Sequence, residues 1–324
     1  MTNKVRVAVL DDYQGAALDH ADWSTLFDRA EVTVFRDHLH DADALVERLA
    51  PFEVVCLMRE RTPLTAAILD RLPRLRLIVT TAMWNAALDC AHAVARGIVV
   101  SGTQSIQSGT PELIWLLILS LARRYDAERA SVRDGGWQTS VGLDLCNRTL
   151  GVMGLGQIGT RIARVGNAFD MRVIAWSQNL TPARAAAAGA EFVDKDTLLA
   201  QSDFLTINLK LSERTRHIVG AAEIGRMKPS AYLVNTSRGP LVDEAALIAA
   251  LRERRIAGAA LDVFDLEPLP PDHPFRHMDN VVATPHIGYV TDAAYRLFYP
   301  QVVENIDAWL RGAPIRRLPQ PGPT

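Results

Sequence analysis

The sequence predicts an α/β protein that contains two doubly wound parallel-sheet domains. Short apolar runs alternate with helix-forming stretches along the chain, and the alternation restarts after a long helical segment that begins near Thr110. In the second half, one apolar run leads directly into Gly154, Gly156 and Gly159, which have the spacing G-x-G-x-x-G. Strands and helices that alternate in this way form parallel sheets with helices on both faces.

The first hundred residues predict one sheet of buried strands. Apolar runs of this length, bounded by turn residues, are typical of strands covered on both faces. The predicted strands are Val5–Leu10, Val32–Phe35, Val54–Met58, Leu77–Thr81 and Ile98–Val100, and the predicted helices are Ala16–Phe27, Asp43–Leu49, Thr65–Leu72 and Ala87–Arg96.

A long helix then separates the two alternations. Thr110 can cap its first turn, Pro111 suits that turn, and the helix is predicted to reach about Arg129. The strands that follow are predicted at Leu150–Met153, Arg172–Trp176, Phe204–Leu209, Tyr232–Asn235, Ala259–Val263 and Val281–Ala283, with helices at Ile158–Phe169, Pro182–Ala188, Leu198–Ser202, Glu244–Arg254 and Ala293–Leu310. The Pro/Gly-rich segment Pro314–Thr324 is predicted to fray.

Composition excludes several classes of protein. Among 324 residues, 48% are hydrophobic and 22% charged, which is enough for two folded cores. The net charge of -2 predicts no general attraction to nucleic acid or anionic membrane. Cys56, Cys90 and Cys146 are scattered, which argues against a disulfide framework and against a metal site. With no secretory leader pattern and no apolar run longer than Leu113–Leu119, a cytoplasmic protein is expected.

The glycine spacing favours a dinucleotide site over a purely structural turn. Gly154 would allow the sharp turn, Gly156 would let the backbone approach a pyrophosphate, and Gly159 would let the next helix pack close to the strand. The N-terminus of that helix presents N–H groups to an anion. The spacing alone occurs in many structural loops, so the interpretation depends on the strand and helix that flank it.

Polar clusters follow three predicted strands of the second alternation, at the edge where ligands bind in open α/β sheets. Arg238 lies between polar residues and a Gly-Pro turn, where its guanidinium can hold a carboxylate. Glu267 follows the next strand, and His286, preceded by Pro285, follows the last. Taken singly, Arg238 and Glu267 could be solvated loop residues and His286 a structural polar residue. Together they describe proton exchange and carboxylate binding beside a nicotinamide that transfers a hydride.

Five motifs, in this order, resemble the D-isomer-specific 2-hydroxyacid dehydrogenase family, which includes D-3-phosphoglycerate dehydrogenases and hydroxypyruvate reductases. They are G-L-G-Q-I-G at 154–159, N-T-S-R-G at 235–239, A-L-D-V-F at 260–264, E-P at 267–268 and T-P-H-I-G at 284–288.

This resemblance implies a Rossmann domain that binds NAD or NADP, inserted into a flavodoxin-like substrate domain. The Rossmann domain would span residues 103–289, and the substrate domain would consist of residues 1–102 and 290–324. The resemblance also implies a homodimer, with the helix after Thr110 and the arm around residues 134–137 at the interface. The expected partner is a small 2-hydroxy or 2-keto acid.

The resemblance assigns roles to individual residues. Arg238, Glu267 and His286 correspond to the catalytic residues of the family, and Asp262 corresponds to the acid that contacts the nicotinamide carboxamide. No residue corresponds to a metal ligand. The cofactor-binding residues implied are Gly154, Gly156, Gln157, Ile158, Gly159, Ser177, Thr236, Ser237, Asp262 and Gly288.

Two departures from the family concern the cofactor. The second Rossmann strand ends in Ser177, where members that prefer NAD carry an acid. Serine can bind a ribose hydroxyl but does not repel a 2′-phosphate, and the nearest downstream arginine in the sequence is Arg184, with none directly beside Ser177. The choice between NAD and NADP therefore stays open. The segment Asn208–Ser212 is a further departure, since relatives often have a proline after this strand.

The substrate residues are less clearly indicated. Met83, Trp84 and Asn85 occupy a loop in which many relatives have glycine, so Trp84 either narrows the substrate pocket or packs beneath the loop. Arg59 and Arg61 resemble an R-x-R-T stretch of phosphoglycerate-type members. They could meet a phosphate or a second carboxylate, or they could be solvated.

The sequence therefore predicts an NAD(P)-dependent oxidoreductase of D-2-hydroxy and 2-keto acids that is similar to D-3-phosphoglycerate dehydrogenase. A glyoxylate or hydroxypyruvate reductase is one alternative within the same class. A dinucleotide-sensing protein similar to corepressors of this fold is an alternative from another class.

Overall fold

The computed structural model describes residues 4–318, and the chain divides into two compact units. Unit 1 contains the residues up to Ile106 together with those from Thr291 onward, and unit 2 is Gln107–Val290. Both units have parallel sheets, with five strands in unit 1 and seven in unit 2. The predicted fold class is confirmed.

Unit 1 is built on a sheet of strand order β2-β1-β3-β4-β5. Every residue of β3 and β4 is buried, as expected for central parallel strands covered on both faces. The elements are β1 Val5–Val9, β2 Ala30–Val34, α1 Ala42–Leu49, β3 Val54–Leu57, α2 Ala66–Leu69, β4 Leu77–Thr80, α3 Cys90–Ala95 and β5 Val99–Gly102.

The first predicted helix of unit 1 is wrong, the second is confirmed as α1, and the last two are shorter than predicted. Over Ala16–Phe27 only the 3-10 turn Trp23–Leu26 forms. The Asp12 carboxylate accepts the backbone N–H groups of Ala16 (2.9 Å) and Ala17 (3.0 Å), and this local side-chain bonding replaces the helical pattern. The helices predicted at 65–72 and 87–96 contract to α2 and α3.

Unit 2 contains the sheet β12-β11-β10-β9-β6-β7-β8. Its elements are α4 Gly109–Arg123, α5 Tyr125–Arg133, β6 Thr149–Met153, α6 Gln157–Ala168, β7 Arg172–Trp176, α7 Pro182–Ala187, β8 Glu191–Phe192, α8 Lys195–Gln201, β9 Phe204–Ile207, α9 Ala221–Ile224, β10 Tyr232–Asn235, α10 Glu244–Arg252, β11 Gly258–Leu261 and β12 Val281–Ala283. The chain then returns to unit 1 in α11, Asp292–Leu310. The short elements β8 and α9 were not predicted, because neither is long enough to show a hydrophobic period.

The predicted single helix from Thr110 to about Arg129 is divided in the structure. Arg124 adopts the left-handed conformation (φ 48°), which ends α4 and starts α5. The helix also begins earlier than predicted, with Ser108 at the N-cap position. The hydroxyl of Thr110 donates to the carbonyl of Gly288 (3.1 Å), so Thr110 connects α4 to the loop after β12.

The predicted fraying after Pro314 is wrong for the part of that segment within the described residues. The backbone N–H of Leu318 donates to Val100 O (2.8 Å), and Gly102 N–H donates to Arg316 O (2.9 Å). Since β5 is an edge strand, its unpaired backbone groups are available to this segment. Residues 319–324 lie outside the described residues.

Two apolar cores cover the two faces of the unit 2 sheet. Leu150 and Val152 of β6 pack into one core with α4 and α6, whereas Met153 packs into the other, which includes residues of α8 and α10. The direction of winding reverses between β6 and β9, which are neighbours in the sheet. Such a reversal leaves a crevice at the carboxyl ends of the two strands, and the glycine loop after β6 lies there.

The three motif glycines meet different surroundings. Gly154 has φ +102°, and a Cβ atom on it would lie 2.6 Å from the carbonyl oxygen of Asn208. A Cβ on Gly159 would lie 2.2 Å from the carbonyl oxygen of Gly154, whereas a Cβ on Gly156 would meet no atom within 4 Å. Gly154 and Gly159 are therefore required for packing, and Gly156 faces open space.

Within residues 4–318, no helix is both long enough and apolar enough to cross a membrane.

We expect Gly159→Ala to lower the free energy of unfolding by about 1–3 kcal/mol, because the added methyl must push α6 away from the turn at Gly154. Gly156→Ala is the matched control and should change stability by less than about 0.5 kcal/mol, since its methyl enters open space. Urea unfolding followed by circular dichroism measures both. Equal midpoints for the two variants would contradict the close contact at Gly159.

Candidate active site

Three neighbouring parallel strands deliver the predicted catalytic residues to one edge of the unit 2 sheet. β10 pairs with β11, and β11 pairs with β12, all in parallel. Arg238 follows β10, Glu267 follows β11 and His286 follows β12. The carboxyl ends of parallel strands meet at the same edge, so residues that are 48 positions apart in sequence become neighbours in the fold.

His286 and Glu267 form a direct pair. The imidazole Nδ1 lies 2.5 Å from Glu267 Oε2, and Glu267 Oε1 accepts the backbone N–H of Phe264 at 2.9 Å. A carboxylate in this position favours the tautomer with hydrogen on Nδ1 and stabilises the imidazolium. The atom that can exchange a proton with a ligand is then Nε2.

The loop that carries His286 is held by a buried carboxylate. Asp262, at the end of β11, has no solvent exposure. Its Oδ1 accepts the Thr284 hydroxyl (2.7 Å) and the Ile287 N–H (2.8 Å), and its Oδ2 accepts the Gly288 N–H (2.8 Å). Burial raises the pKa of Asp262, and the hydrogen bonds from Thr284 and Ile287 oppose that rise.

These bonds explain the backbone of His286, which is left-handed (φ 53°) although the residue is not glycine. The hydrogen bonds that Asp262 accepts on both sides of His286 stabilise this conformation. The role that the resemblance implies for Asp262, contact with the nicotinamide, stays a prediction. The structure adds that Asp262 positions the histidine loop.

The Arg238 loop is stabilised by its own polar residues. Asn235 accepts the Ser237 N–H (3.1 Å) and donates to the carbonyl of Arg238 (2.9 Å), while the Ser237 hydroxyl donates to Ile207 O (2.8 Å). The guanidinium of Arg238 donates through Nη1 to Ser237 O (2.6 Å). The loop therefore spans the ends of β9 and β10 and holds the arginine at the sheet edge.

Sequence reasoning missed the importance of Gly239, which it treated only as part of a turn. A Cβ on Gly239 would lie 2.2 Å from the carbonyl carbon of Phe264 and 2.6 Å from the N of Asp265. The arginine loop and the segment that leads to Glu267 therefore touch backbone to backbone. The only sign of this backbone contact in the sequence is that the residue directly after Arg238 is a glycine.

A second ionic group that sequence reasoning missed supports the same segment. Glu244 Oε1 lies 3.1 Å from His273 Nε2, and Glu244 Oε2 accepts the Asp265 N–H at 3.3 Å. Burial, together with the nearby Glu244 charge, raises the pKa of Asp265. Glu244 and His273 are 29 residues apart, so no local pattern connects them.

The glycine loop and its surroundings fit a dinucleotide. No side chain caps the N-terminus of α6, so its first N–H groups are directed to the open space at Gly156. At the same edge, Thr236 Oγ1 and Asn208 Oδ1 are buried and have no hydrogen-bond partner among the described residues. Buried polar atoms without a partner are costly unless a ligand satisfies them.

The predicted cofactor residues occupy this edge as follows. Gly154, Gly156, Gln157, Ile158 and Gly159 form the turn and the start of α6, and Ser177 follows β7. Thr236 and Ser237 follow β10, Asp262 follows β11, and Gly288 lies in the loop after β12.

The predicted substrate residues lie in unit 1. Arg59 and Arg61 follow β3, and Trp84 and Asn85 follow the neighbouring β4. Asn85 Nδ2 connects the two loops by donating to Arg59 O (2.7 Å) and Thr80 Oγ1 (2.9 Å). Trp84 is 60% exposed, so the alternative that it packs beneath its loop is wrong.

Arg61 is oriented by a polar network that sequence reasoning did not find. Its Nη1 donates to the carbonyl of Asp11 (3.3 Å), and its guanidinium lies 4.9 Å from the ring centre of Tyr13. The buried Asp11 carboxylate accepts the Thr62 hydroxyl (2.6 Å) and pairs with His38 Nδ1 (2.8 Å). These residues come from the loops after three neighbouring strands, β2, β1 and β3.

No group of three or more His, Cys, Asp or Glu side chains within residues 4–318 is arranged to hold a metal ion.

Comparison with known proteins agrees with this geometry. The family model described as "D-isomer specific 2-hydroxyacid dehydrogenase, NAD binding domain" matches residues 115–288. The chain is 35% identical over 286 residues to a glyoxylate reductase of Korarchaeum cryptofilum, covering 86% of this chain and 83% of that protein. It is 35% identical over 274 residues to a D-3-phosphoglycerate dehydrogenase of Methanocaldococcus jannaschii, covering 83% of this chain and 52% of that protein.

A solved structure gives the same result. The crystal structure of a phosphoglycerate oxidoreductase from Vibrio cholerae is 35% identical and superposes with a TM-score of 0.90, covering 95% of this chain and all (100%) of the other.

We expect Asp262→Ala to lower the free energy of unfolding by at least about 2 kcal/mol, because three donors of the 284–288 loop lose their acceptor. Asp262→Asn should cost less, since an amide oxygen can still accept from Thr284 and Ile287. Urea unfolding measures the two losses, and the histidine ring resonances in NMR spectra report the order of the loop. Unfolding midpoints equal to that of the unsubstituted protein in both variants would contradict the positioning role.

Proposed function

Since the chain belongs to the D-isomer-specific 2-hydroxyacid dehydrogenase family and is an NAD(P)-dependent oxidoreductase of D-2-hydroxy acids, we propose that Arg238, Glu267 and His286 perform its chemistry. The observation that carries this proposal is the 2.5 Å pair between His286 Nδ1 and Glu267 Oε2, on a loop adjacent to that of Arg238. We further propose that its substrates are small, unphosphorylated 2-keto acids.

The nicotinamide, when bound, supplies the hydride for reduction and accepts it for oxidation. In reduction, His286 begins protonated and gives its Nε2 proton to the keto oxygen. The Glu267 carboxylate at Nδ1 stabilises the imidazolium that must exist before this transfer. In oxidation, His286 begins neutral and takes the hydroxyl proton at the same Nε2 atom.

Arg238 binds the substrate carboxylate. A guanidinium offers parallel N–H donors that match the two oxygens of a carboxylate, so it orients the substrate as well as attracting it. The contact of Gly239 with Phe264 and Asp265 sets the distance between the arginine and the segment leading to Glu267. Substrate orientation and proton transfer therefore depend on one packed arrangement.

Two observations support an unphosphorylated substrate. The guanidinium of Arg61 donates to the carbonyl of Asp11 and lies over the ring of Tyr13, and Arg59 Nε lies 3.8 Å from a Glu60 carboxylate oxygen. These contacts occupy guanidinium N–H donors and positive charge that would otherwise be available to a phosphate. The relative from Korarchaeum cryptofilum, named glyoxylate reductase, agrees with this choice.

A second candidate substrate is 3-phosphohydroxypyruvate. It is favoured by the presence of Arg59 and Arg61 in one loop after β3, where the two guanidinium groups could together meet a phosphate. The relative from Methanocaldococcus jannaschii is named for this type of activity, although the chain spans 52% of its length.

We also propose that the protein is a cytoplasmic homodimer. Helix α5 buries no residue within its own chain. The segment 116–141 exposes a series of large apolar side chains: Leu116, Leu119, Tyr125, Val132, Trp137 and Val141. An apolar surface of this kind is typical of an interface between protein chains. The free cysteines Cys56, Cys90 and Cys146 fit a reducing compartment.

We expect initial rates with glyoxylate, hydroxypyruvate or pyruvate to exceed the rate with 3-phosphohydroxypyruvate. His286→Ala should lower kcat by roughly 10²-fold or more, because the proton donor is lost, while the Kd for the reduced dinucleotide is unchanged. His277→Ala is the control, since His277 is exposed and lies outside the site.

Steady-state kinetics measures these rates, and quenching of protein fluorescence measures the Kd. Unchanged turnover in His286→Ala would overturn the assigned role. A higher rate with 3-phosphohydroxypyruvate would select the second candidate substrate. Dinucleotide binding without turnover of any keto acid would favour a sensing function.

We expect the protein to sediment with about twice the 35.6 kDa mass of the chain. The double substitution Trp137→Asp and Val141→Asp should shift it toward the single-chain mass, because charges would enter the apolar surface. Leu18→Asp, at an exposed apolar residue of unit 1, should leave the mass unchanged. Analytical ultracentrifugation distinguishes these outcomes, and a single-chain mass for the unsubstituted protein would refute the dimer.

A further inference from the structure

We propose that this chain binds the 2′-phosphorylated dinucleotide NADP(H), and that Arg184 binds the 2′-phosphate. The proposal rests on the dinucleotide site described above and adds the identity of the adenosine end of the ligand. It is carried by the residues around the carboxyl end of β7, the strand next to the glycine loop strand β6.

The end of β7 has no acid where a 2′-hydroxyl would be held. In dinucleotide-binding folds, an acid about 20 residues beyond the glycines binds the ribose hydroxyls and repels a phosphate at the 2′ position. Here Ser177 follows the strand directly, and Gln178 and Asn179 come next. Serine, glutamine and asparagine are neutral and can donate hydrogen bonds to phosphate oxygens.

The fold brings Arg184 back to this segment, although it is seven positions further along the chain. The guanidinium Nη1 of Arg184 donates to the carbonyl of Asn179 at 3.3 Å. No arginine is adjacent to Ser177 in the sequence. The turn into α7 instead brings Arg184 against Asn179, two residues after Ser177. The turn is fixed by Thr181, whose hydroxyl accepts the backbone N–H of Arg184 and caps α7.

Most of the side-chain N–H donors of Arg184 are not used by other described residues. It is exposed, and it forms no ion pair among residues 4–318. A guanidinium has five N–H donors, of which the contact with Asn179 uses one. The remaining donors can bind a phosphate, for which the planar guanidinium is well suited.

The neighbouring acids are already held by other groups. Glu191 of β8, the strand that pairs with β7, accepts two hydrogen bonds from Arg172, at 3.0 and 2.7 Å. Asp194 accepts the Thr197 N–H at 2.7 Å and caps α8, and this hydrogen bonding lowers its pKa. Both carboxylates are thus directed to partners within unit 2.

Lys210 adds a second cation to the same edge. It follows β9, which flanks β6 on the side opposite β7. Lys210 forms no ion pair within the described part of the chain. Positive charge on both sides of the glycine loop favours a ligand with an additional phosphate.

The test compares ligands that differ only in the 2′-phosphate: NADPH with NADH, and 2′,5′-ADP with 5′-ADP. We expect the protein to bind the phosphorylated member of each pair more tightly. Arg184→Ala should weaken binding of NADPH and 2′,5′-ADP by roughly 10- to 100-fold, as for the loss of a charged hydrogen-bonded pair, and leave NADH unchanged. Arg184→Lys should restore part of the loss.

Two more variants sharpen the result. Ser177→Asp should weaken NADPH binding and strengthen NADH binding, because a carboxylate repels the phosphate and binds the ribose hydroxyls. Arg252→Ala is the control, since Arg252 is an exposed arginine of α10 that has no part in this site. Isothermal titration calorimetry measures every Kd without requiring turnover.

The outcomes separate this proposal from the proposed function. Tighter binding of NADH than of NADPH, or equal NADPH binding by Arg184→Ala and the unsubstituted protein, would overturn the role of Arg184 while leaving the oxidoreductase intact. Failure of both dinucleotides to bind would instead refute the dinucleotide site itself.

Discussion

The site of unit 2 depends on the buried carboxylate of Asp262. It accepts hydrogen bonds from Thr284, Ile287 and Gly288, and so it fixes the loop in which His286 adopts a left-handed backbone. A carboxylate without solvent exposure is stable only when donors surround it. The hydrogen bonds that satisfy this carboxylate also hold the loop in which the His286 imidazole meets Glu267, so one buried residue helps to determine the geometry of the imidazole–carboxylate pair.

A second constraint is the close approach of backbones, which requires glycine. Gly239 allows the arginine loop to touch the segment before Glu267, and Gly159 allows α6 to touch the turn at Gly154. Both contacts leave no room for a Cβ atom. In each case the absence of a side chain lets two segments of the chain meet: the Arg238 loop meets the segment before Glu267, and the start of α6 meets the turn at Gly154.

The charged residues at the strand ends divide into those that position the chain and those that remain available to a ligand. Glu244, Asp194 and Asp11 each accept hydrogen bonds within their own unit. Arg184 donates one side-chain hydrogen bond to a backbone carbonyl and is exposed to solvent. These carboxylates are therefore held by the chain itself, whereas Arg184 keeps N–H donors for the 2′-phosphate that we propose it binds.

The sequence by itself determined the fold class and the strands that carry the site, because apolar runs and glycine spacing are local signals. It also singled out Arg238, Glu267 and His286 as candidates, each of which lies in the loop after a recognisable strand. It could not determine the division of the long helix at Arg124 or the loss of the helix after Ala16, because a single left-handed residue and the carboxylate of Asp12 override helix propensity there. Only the tertiary structure decided that Asp262 holds the histidine loop, that Gly239 contacts Phe264, and that Arg184 returns to the end of β7. Each of these contacts joins residues that are distant in sequence or depends on the path of a turn, and hydrophobic periodicity contains no information about either.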